Sequence, residues 1–284
     1  MWLYDARGLE LYEEVTRLPG YYLPSRERDL LREHAPDIAA RVPARTLVEL
    51  GAGLPKNVRL LLDAFPSLER FVPLDVNEAA VRANATDVAS AYPHLLVEPV
   101  AGDFERDLDS LPGAAVTLVA FLGSTIGNLS PTRRSRFLTC VAGALAPADA
   151  FLLGLDLVKD RARLEAAYND PRGVTEAFVR NALTTVNHEL GAEFDQKRFE
   201  YEASWDAEHE WMDIGFRARI RHTVWVDALE LEVPFEPGER LRAEISAKFR
   251  RDQVEEEAPD AGLRIDEWWS DEAQDYALAL LSPR

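Results

Sequence analysis

The chain contains little cysteine and histidine, the residues that build disulfide frameworks and transition-metal sites. Its 284 residues include one cysteine, Cys140, which excludes a disulfide framework and a thiolate metal cluster. Cys140 lies in the apolar helical pattern "FLTCVAGAL", so we expect a small buried side chain. The five histidines are scattered, without an HxxxH or HxH pair, and we therefore expect no metal cofactor.

Positive charge is also scarce. The formal net charge is −18 and the pI about 4.7, which argues against nucleic-acid or anionic-membrane partners, because Lys and Arg dominate phosphate binding. The N-terminal stretch lacks a signal-peptide pattern, and no apolar run approaches the roughly 20 residues that a membrane span needs. We expect a cytoplasmic protein that acts as a monomer on a small molecule.

The arrangement of apolar segments predicts an α/β fold. From Thr46 to about residue 158, short apolar runs alternate with helical stretches, a pattern typical of a doubly wound, mostly parallel sheet. This predicts a core domain over 43–158, with C-terminal strands available to complete its sheet. Residues 1–42 and 159–284 form the predicted second, mixed α/β domain. Within it, 237–258 reads as one helix.

A glycine turn follows the first predicted strand, in "LVELGAG" at 47–53. Gly51 and Gly53 allow a ligand to approach the backbone, but the third glycine of a dinucleotide fingerprint is absent. Acidic residues end the next two strands, as Asp75 and Asp103, and Phe104 follows the second of them. Carboxylates suit ribose hydroxyls and an adenine amino group, so the pattern favours a phosphate-free adenosine ligand. S-adenosylmethionine fits best, with Glu49 facing its aminoacyl or sulfonium part.

A polar turn, "FLGSTIGN" at 121–128, ends the fourth strand. Such a turn after a buried strand is a place where an acceptor could meet the methyl donor, although an ordinary strand–helix turn with Asn128 bonding the backbone would look similar.

Several motifs in fixed order carry a resemblance to a known family. They are "YDARGLELYEEVTRLPGYY", "VELGAG", "PLDV", "GDF", "FLGSTIGN", "LGLDLVKD", "AYNDPRGVT", "GAEFD" and "AEISAKFR". Together they resemble the histidine Nα-methyltransferase family of ergothioneine biosynthesis, from Tyr4 to the C-terminus. The resemblance implies a Rossmann-like class I methyltransferase that methylates the α-amino group of L-histidine to the trimethylated betaine, hercynine.

The resemblance also implies roles for individual residues. Donor contacts match Gly51, Asp75, Asp103 and Phe104, and the amine-holding catalytic residues match Gly123 and Asn128. Tyrosines near the substrate carboxylate match Tyr4 and Tyr168, and the imidazole contacts match Tyr21, Glu244 and Ser246.

Two positions depart from the family pattern. The family places a lysine where this chain has Asn57, and the nearest lysine is Lys56, which we take as the donor contact. The family's methionine beside the imidazole aligns with Ile214, with Met212 two residues away. Pocket shape can therefore differ, and two alternatives stay open: methylation of another amino acid, such as tryptophan or a related pathway intermediate, and a non-catalytic adenosyl-binding protein.

Overall fold

The structure, a computed structural model, describes residues 2–53, 57–108 and 115–284. The chain forms two compact units. The sheet unit comprises Leu23–Lys159 and Ala247–Arg284, and the insert unit comprises the N-terminal residues through Tyr22 together with Asp160–Ser246. Among the described residues, none of the helices combines the length and apolar character needed to cross a membrane.

The sheet unit alternates strands and helices along the chain, as the apolar pattern predicts. Its helices are α2 (Leu23–Arg41), α3 (Val58–Ala64), α4 (Glu78–Ala91), α5 (Pro131–Ala144) and α8 (Arg251–Asp260). Its strands are β1 (Thr46–Leu50), β2 (Arg70–Asp75), β3 (Leu96–Val97), β4 (Val100–Ala101), β5 (Thr117–Phe121), β6 (Ala150–Asp156), β12 (Leu263–Ser270) and β13 (Tyr276–Pro283).

The strands form one mostly parallel sheet in the order β12-β13-β6-β5-β1-β2-β3, with β4 also paired to β2. Strands β1, β5 and β6 are buried along their whole length, as expected for strands covered on both faces. The chain order reverses between β1 and β5. In sheets of this kind, ligands bind outside the carboxyl ends of the strands at such a switch point.

The unit boundaries differ from those expected over 1–42, 43–158 and 159–284. Helix α2 belongs to the sheet unit, where its residue Glu27 accepts a hydrogen bond from Tyr276 on β13. The C-terminal strands add to the sheet edge in antiparallel pairing, β13 against β6 and β12 against β13. Residue Cys140 is exposed, so the expectation of burial is wrong: it lies on the solvent side of α5, whose inward face carries Phe137, Leu138 and Val141.

The insert unit combines helices with antiparallel strands. Its elements are α1 (Ala6–Val15), α6 (Arg161–Tyr168), α7 (Val174–Leu190), β7 (Phe199–Asp206), β8 (Trp211–Ala218), β9 (His222–Val226), β10 (Leu231–Phe235) and β11 (Arg240–Ala247), the last ending one residue past the unit boundary. Strands β11, β8 and β7 form one sheet in that order, and β9 and β10 form a two-stranded sheet.

The predicted helix over 237–258 is wrong in its first half. Residues Arg240–Ala247 form β11, and only Arg251–Asp260 are helical. The reason is tertiary: β11 pairs with β8, and sheet pairing overrides a weak helical preference.

Candidate functional site

The carboxyl ends of the parallel strands lie side by side. The register pairs Leu50 at the end of β1 with Leu74 on β2 and with Phe121 on β5, and it pairs Asp75 with Ala101 on β4. The expected donor-contact segments and the polar turn after β5 therefore start from one edge of the sheet.

The turn after β1 brings backbone to this edge. Gly51 has φ +73°, a left-handed conformation that favours glycine. The amides of Gly51 and Ala52 donate to the Leu74 carbonyl at 2.9 and 3.0 Å, which ties the turn to β2. Gly53 follows in the same turn and is half-buried. The predicted donor contact Lys56 lies outside the described residues.

Glu49 is a buried acid at this edge. It is 6% exposed, and within residues 2–53, 57–108 and 115–284 its Oε2 has no hydrogen-bond partner. Burial raises the pKa of Glu49 well above its ordinary value, the charges of Glu27 and Asp75 raise it further, and hydrogen bonding to Asn84 opposes the shift. An unpaired buried carboxylate is costly, so this site suits a ligand that brings a positive charge.

Asp75 ends β2 and is half-buried. Its Oδ1 accepts the Asn77 amide at 2.8 Å, and burial raises its pKa. One carboxylate oxygen thus orders the turn into α4, and the carboxylate lies at the end of β2.

Asp103 and Phe104 follow β4. Asp103 Oδ1 accepts the Glu105 amide at 2.9 Å, and its own amide donates to Asp107 Oδ2 at 2.7 Å. The centroid of the Phe104 ring lies 4.9 Å from that of the Phe121 ring. The aromatic side chain expected against the adenine is therefore anchored on the strand that leads into the polar turn.

The polar turn after β5 has an unusual backbone. Gly123 has φ +71° and Ser124 φ +55°, and Thr125–Asn128 form a short 3-10 helix. Ser124 Oγ accepts the Asp156 amide at 2.9 Å, and a Cβ on Gly127 would lie 2.8 Å from the Ala247 carbonyl oxygen. The turn that carries Asn128 is thus fixed by its surroundings, and Asn128 itself is half-buried.

Tyrosine rings connect the expected acceptor residues of the insert unit. The ring pairs pack edge to face: the ring centroids are 5.7 Å apart for Tyr4 and Tyr12, 6.5 Å for Tyr12 and Tyr21, and 6.0 Å for Tyr21 and Tyr168. The Tyr168 hydroxyl lies 2.9 Å from Ser246 Oγ. Burial, followed by the neighbouring tyrosines, raises the pKa of Tyr21 well above its ordinary value, so its hydroxyl keeps its proton.

Glu244 and Ser246 lie on β11. Their spacing of two places both side chains on the same face of a strand. On the helix predicted over 237–258, residues two apart would not face the same side. On the neighbouring strand β8, Ile214 and Met212 are 1% and 0% exposed. Ile214, which aligns with the family's methionine, therefore lies in a packed, apolar part of this unit.

Two residues at these sites were not predicted from the sequence. Tyr12 completes the tyrosine chain, and Glu27 is a buried acid on α2 that accepts the Gly123 amide. Glu27 occupies a core position of its helix, in register with the buried Leu23, Leu30 and Leu31. A charged residue within an apolar helical stripe is the signal that could have identified it.

Comparison with known proteins gives a family match over residues 1–283, to the model described as histidine-specific methyltransferase, SAM-dependent. The chain is 46% identical over 282 residues to the histidine N-alpha-methyltransferases of Mycolicibacterium smegmatis and Mycobacterium tuberculosis, covering 98% of this chain and 88% of each relative. It is 33% identical to ergothioneine biosynthesis protein 1 of Schizosaccharomyces pombe, over 72% of this chain and 28% of that protein.

Among solved structures, an S-adenosylmethionine-dependent methyltransferase from Clostridium acetobutylicum matches with a TM-score of 0.51 at 9% identity, covering 90% of this chain and 92% of that one. This likeness shows the class I methyltransferase fold. The chain belongs to the family of histidine-specific, S-adenosylmethionine-dependent methyltransferases.

Proposed function

We propose that this chain transfers methyl groups from S-adenosylmethionine to the α-amino nitrogen of L-histidine, in three rounds that yield the trimethylated betaine. The family match over residues 1–283 carries the proposal. The polar edge of the sheet supports it, because donor-type and acceptor-type residues end neighbouring strands there.

The residues at the donor edge fit the ligand chemically. S-adenosylmethionine supplies a methyl group on a positively charged sulfur, next to an α-ammonium group. Glu49 Oε2, which is buried and has no partner among the described residues, suits an ammonium or sulfonium charge. The left-handed Gly51 leaves room for close approach, since a Cβ there would meet only the Phe121 ring, at 3.9 Å, among the residues that the structure describes. We assign the ribose to Asp75, the adenine to Asp103 and Phe104, and further donor contacts to Gly53 and Lys56.

The acceptor amine is assigned to Gly123 and Asn128. Methyl transfer requires the neutral amine as nucleophile, and an amide carbonyl such as that of Asn128 can orient N–H groups without adding a formal charge that favours ammonium. Water can take the released proton. Most of the acceleration should come from holding nitrogen, methyl carbon and sulfur in line, which the fixed backbone of the 123–128 turn supports.

The rest of histidine is assigned to the insert unit. Tyr4 and Tyr168 are proposed for the carboxylate, and Tyr21, Glu244 and Ser246 for the imidazole, with Ile214 contributing apolar surface. A buried polar pair that matches both imidazole nitrogens rejects amino acids that would leave it unpaired. The pair favours histidine over tryptophan, because indole has a single N–H donor and no acceptor nitrogen and would leave one of the two groups without a partner.

Calorimetric titration with S-adenosylmethionine, followed by mass spectrometry of incubations with each of the twenty amino acids, tests the proposal. We expect donor binding and three successive methyl additions to histidine alone. Methylation of another amino acid in preference to histidine would mean that this amino acid, and not histidine, is the substrate. Donor binding without methylation of any amino acid would favour the non-catalytic alternative.

A further inference from the structure

Glu27 is a buried carboxylate that holds together three parts of the sheet unit. It is 2% exposed. Its Oε1 accepts the Gly123 amide at 2.6 Å and the Tyr276 hydroxyl at 2.6 Å, and its Oε2 accepts the Asn57 side-chain amide at 2.7 Å. The three donors come from the polar turn after β5, from β13 and from the start of α3.

A glycine in strand β6 leaves the space that this cluster occupies. Gly154 lies inside the fully buried strand β6, where glycine is unfavourable unless another group approaches closely. A Cβ at Gly154 would lie 2.4 Å from the Tyr276 hydroxyl and 2.5 Å from Glu27 Oε1. The glycine is therefore explained by the Glu27–Tyr276 pair.

The bond to Gly123 acts on the turn that carries Asn128. Two consecutive residues of this turn, Gly123 and Ser124, are left-handed, and non-glycine residues persist in that region only when their surroundings enforce it. The turn is held by Glu27 through the Gly123 amide and by β6 through Ser124 Oγ. Of these two contacts, the one from Glu27 acts at the residue where the turn leaves β5.

We propose that Glu27 is a positioning residue for methyl transfer: by accepting the Gly123 amide, it sets the backbone of the 123–128 turn and thereby the placement of Asn128. This inference rests on the proposed function of that turn. Glu27 itself acts through Gly123 and not on the substrate, so its geometry, more than its charge, should matter.

Two substitutions separate geometry from charge. Glu27→Gln keeps the length of the side chain. Its amide can satisfy Asn57 if Asn57 turns over, because Asn57 Oδ1 has no partner in the described ranges of the chain. Glu27→Asp keeps the charge but shortens the reach to the Gly123 amide. We expect kcat for histidine to stay within about threefold in Glu27→Gln, where all bonds can be remade. Glu27→Asp should lower it about 100-fold, the scale of a displacement of about 1 Å.

The control and the binding measurement exclude a general loss of structure. Asp149 is also a buried acid of the sheet unit, and it accepts the Thr117 and Ala146 amides at 2.8 Å each, at the opposite end of β5. Asp149→Ala should lower the melting temperature without changing kcat. In Glu27→Asp, calorimetry should show an unchanged Kd for S-adenosylmethionine, and hydrogen exchange should accelerate selectively in peptides covering 122–129.

The proposal is overturned if Glu27→Gln is inactive while Glu27→Asp is active, if both retain wild-type kcat, or if Glu27→Asp loses donor affinity in parallel with kcat. If Glu27→Asp does not fold, Tyr276→Phe replaces it. That variant frees Oε1 from one of its two donors and should lower kcat several-fold at unchanged donor Kd; an unchanged kcat would count against the proposal. If the unsubstituted protein methylates no amino acid, the proposed function fails, but hydrogen exchange still reports whether Glu27 holds the turn.

Discussion

At the scale of single residues, the sheet unit concentrates buried negative charge at one edge. Glu27 and Glu49 are both buried, and burial is the main reason that the pKa of each is raised. Glu27 accepts three hydrogen bonds, whereas one oxygen of Glu49 lacks a partner in the part of the chain that the structure describes. A buried acid that lacks a partner destabilises a fold, so Glu49 is the better candidate of the two for a direct ligand contact.

Glu49→Gln should stabilise the ligand-free protein increasingly as the pH rises. Because the pKa of Glu49 is raised in the folded state, its contribution to stability is full below the unfolded-state pKa and is lost as the pH rises through the folded-state pKa. Removing the acid removes this loss. We expect the advantage of the variant over the unsubstituted protein to grow as the pH rises from the ordinary pKa of glutamate, about 4.3, towards neutral pH.

Thermal unfolding of both proteins across that pH range, without ligand, measures the difference. The exposed acid Glu256 on α8 provides a control, since Glu256→Gln removes a carboxylate without removing a buried one. A constant offset between Glu49→Gln and the unsubstituted protein at all pH values would contradict a raised pKa at Glu49. The affinity of Glu49→Gln for S-adenosylmethionine should also fall, because the cationic groups of the donor lose a buried anionic partner.

Glu244→Ala should weaken histidine binding and leave donor binding intact. Loss of a hydrogen bond to a charged group costs about 1.5–3 kcal/mol, or roughly 10- to 100-fold in affinity. Calorimetry with each ligand separately gives both constants, and Glu232→Ala, an exposed acid on β10, is the matched control. A parallel loss of affinity for both ligands would rule out the assigned role.

Site residues at strand ends can be predicted from the sequence more readily than buried residues that support them. Gly51, Asp75 and Asp103 follow apolar runs, so their placement at the sheet edge follows from the parallel-strand pattern. Glu27 was missed because its three donors are 30, 96 and 249 residues away in the chain. No local pattern reports such contacts, although its position in an apolar helical stripe indicates that it is buried.

At the scale of secondary-structure elements, β11 is the part that the sequence predicted wrongly. Residues 240–247 contain good helix formers such as Arg, Leu and Ala, and a true helix follows at Arg251. Pairing with β8 decides the outcome, and Gly215 on β8 shows how close that pairing is. A Cβ on Gly215 would lie 2.2 Å from the Leu241 carbonyl oxygen, so the two strands fit only without a side chain there.

Gly215→Ala should therefore displace β11, which carries Glu244 and Ser246. The added methyl group meets backbone atoms that cannot move independently, and overpacking of this kind costs roughly 1–3 kcal/mol. We expect a lower melting temperature and weaker histidine binding, with donor affinity preserved because the donor residues belong to the sheet unit.

The matched control is Gly143→Ala on α5, where an added Cβ meets no atom of the described residues within 4 Å. That change should be neutral or stabilising by up to about 1 kcal/mol, because alanine is the better helix former. Equal behaviour of the two variants would mean that the space at Gly215 is not limiting.

At the scale of the whole molecule, the alternating pattern predicted the class of fold but not how the chain divides. The expected boundary at residue 42 followed the change from helical to alternating segments. The chain instead changes unit at Tyr22, because α2 packs on the sheet through Leu30, Leu31 and Ile38, which are nearly fully buried. A helix that covers a sheet has the same apolar stripe as one that covers other helices, so the pattern alone could not assign it.

The net charge of −18 should affect the donor and its product differently. S-adenosylmethionine carries a sulfonium, an ammonium and a carboxylate, and so has one net positive charge, whereas the demethylated thioether product has none. A strongly negative protein raises the local concentration of cations and the rate of their association, and salt screens this effect. The charge thus favours capture of the donor over rebinding of the product.

Stopped-flow measurement of both ligands across ionic strength tests this difference. We expect the association rate constant of S-adenosylmethionine to fall by about threefold or more between low salt and about 0.5 M salt, and that of the product to stay nearly constant. Because both ligands share the same adenosine contacts, the product is an internal control for any effect of salt on the protein. An equal salt dependence for the two would show that net charge has no part in selecting the donor.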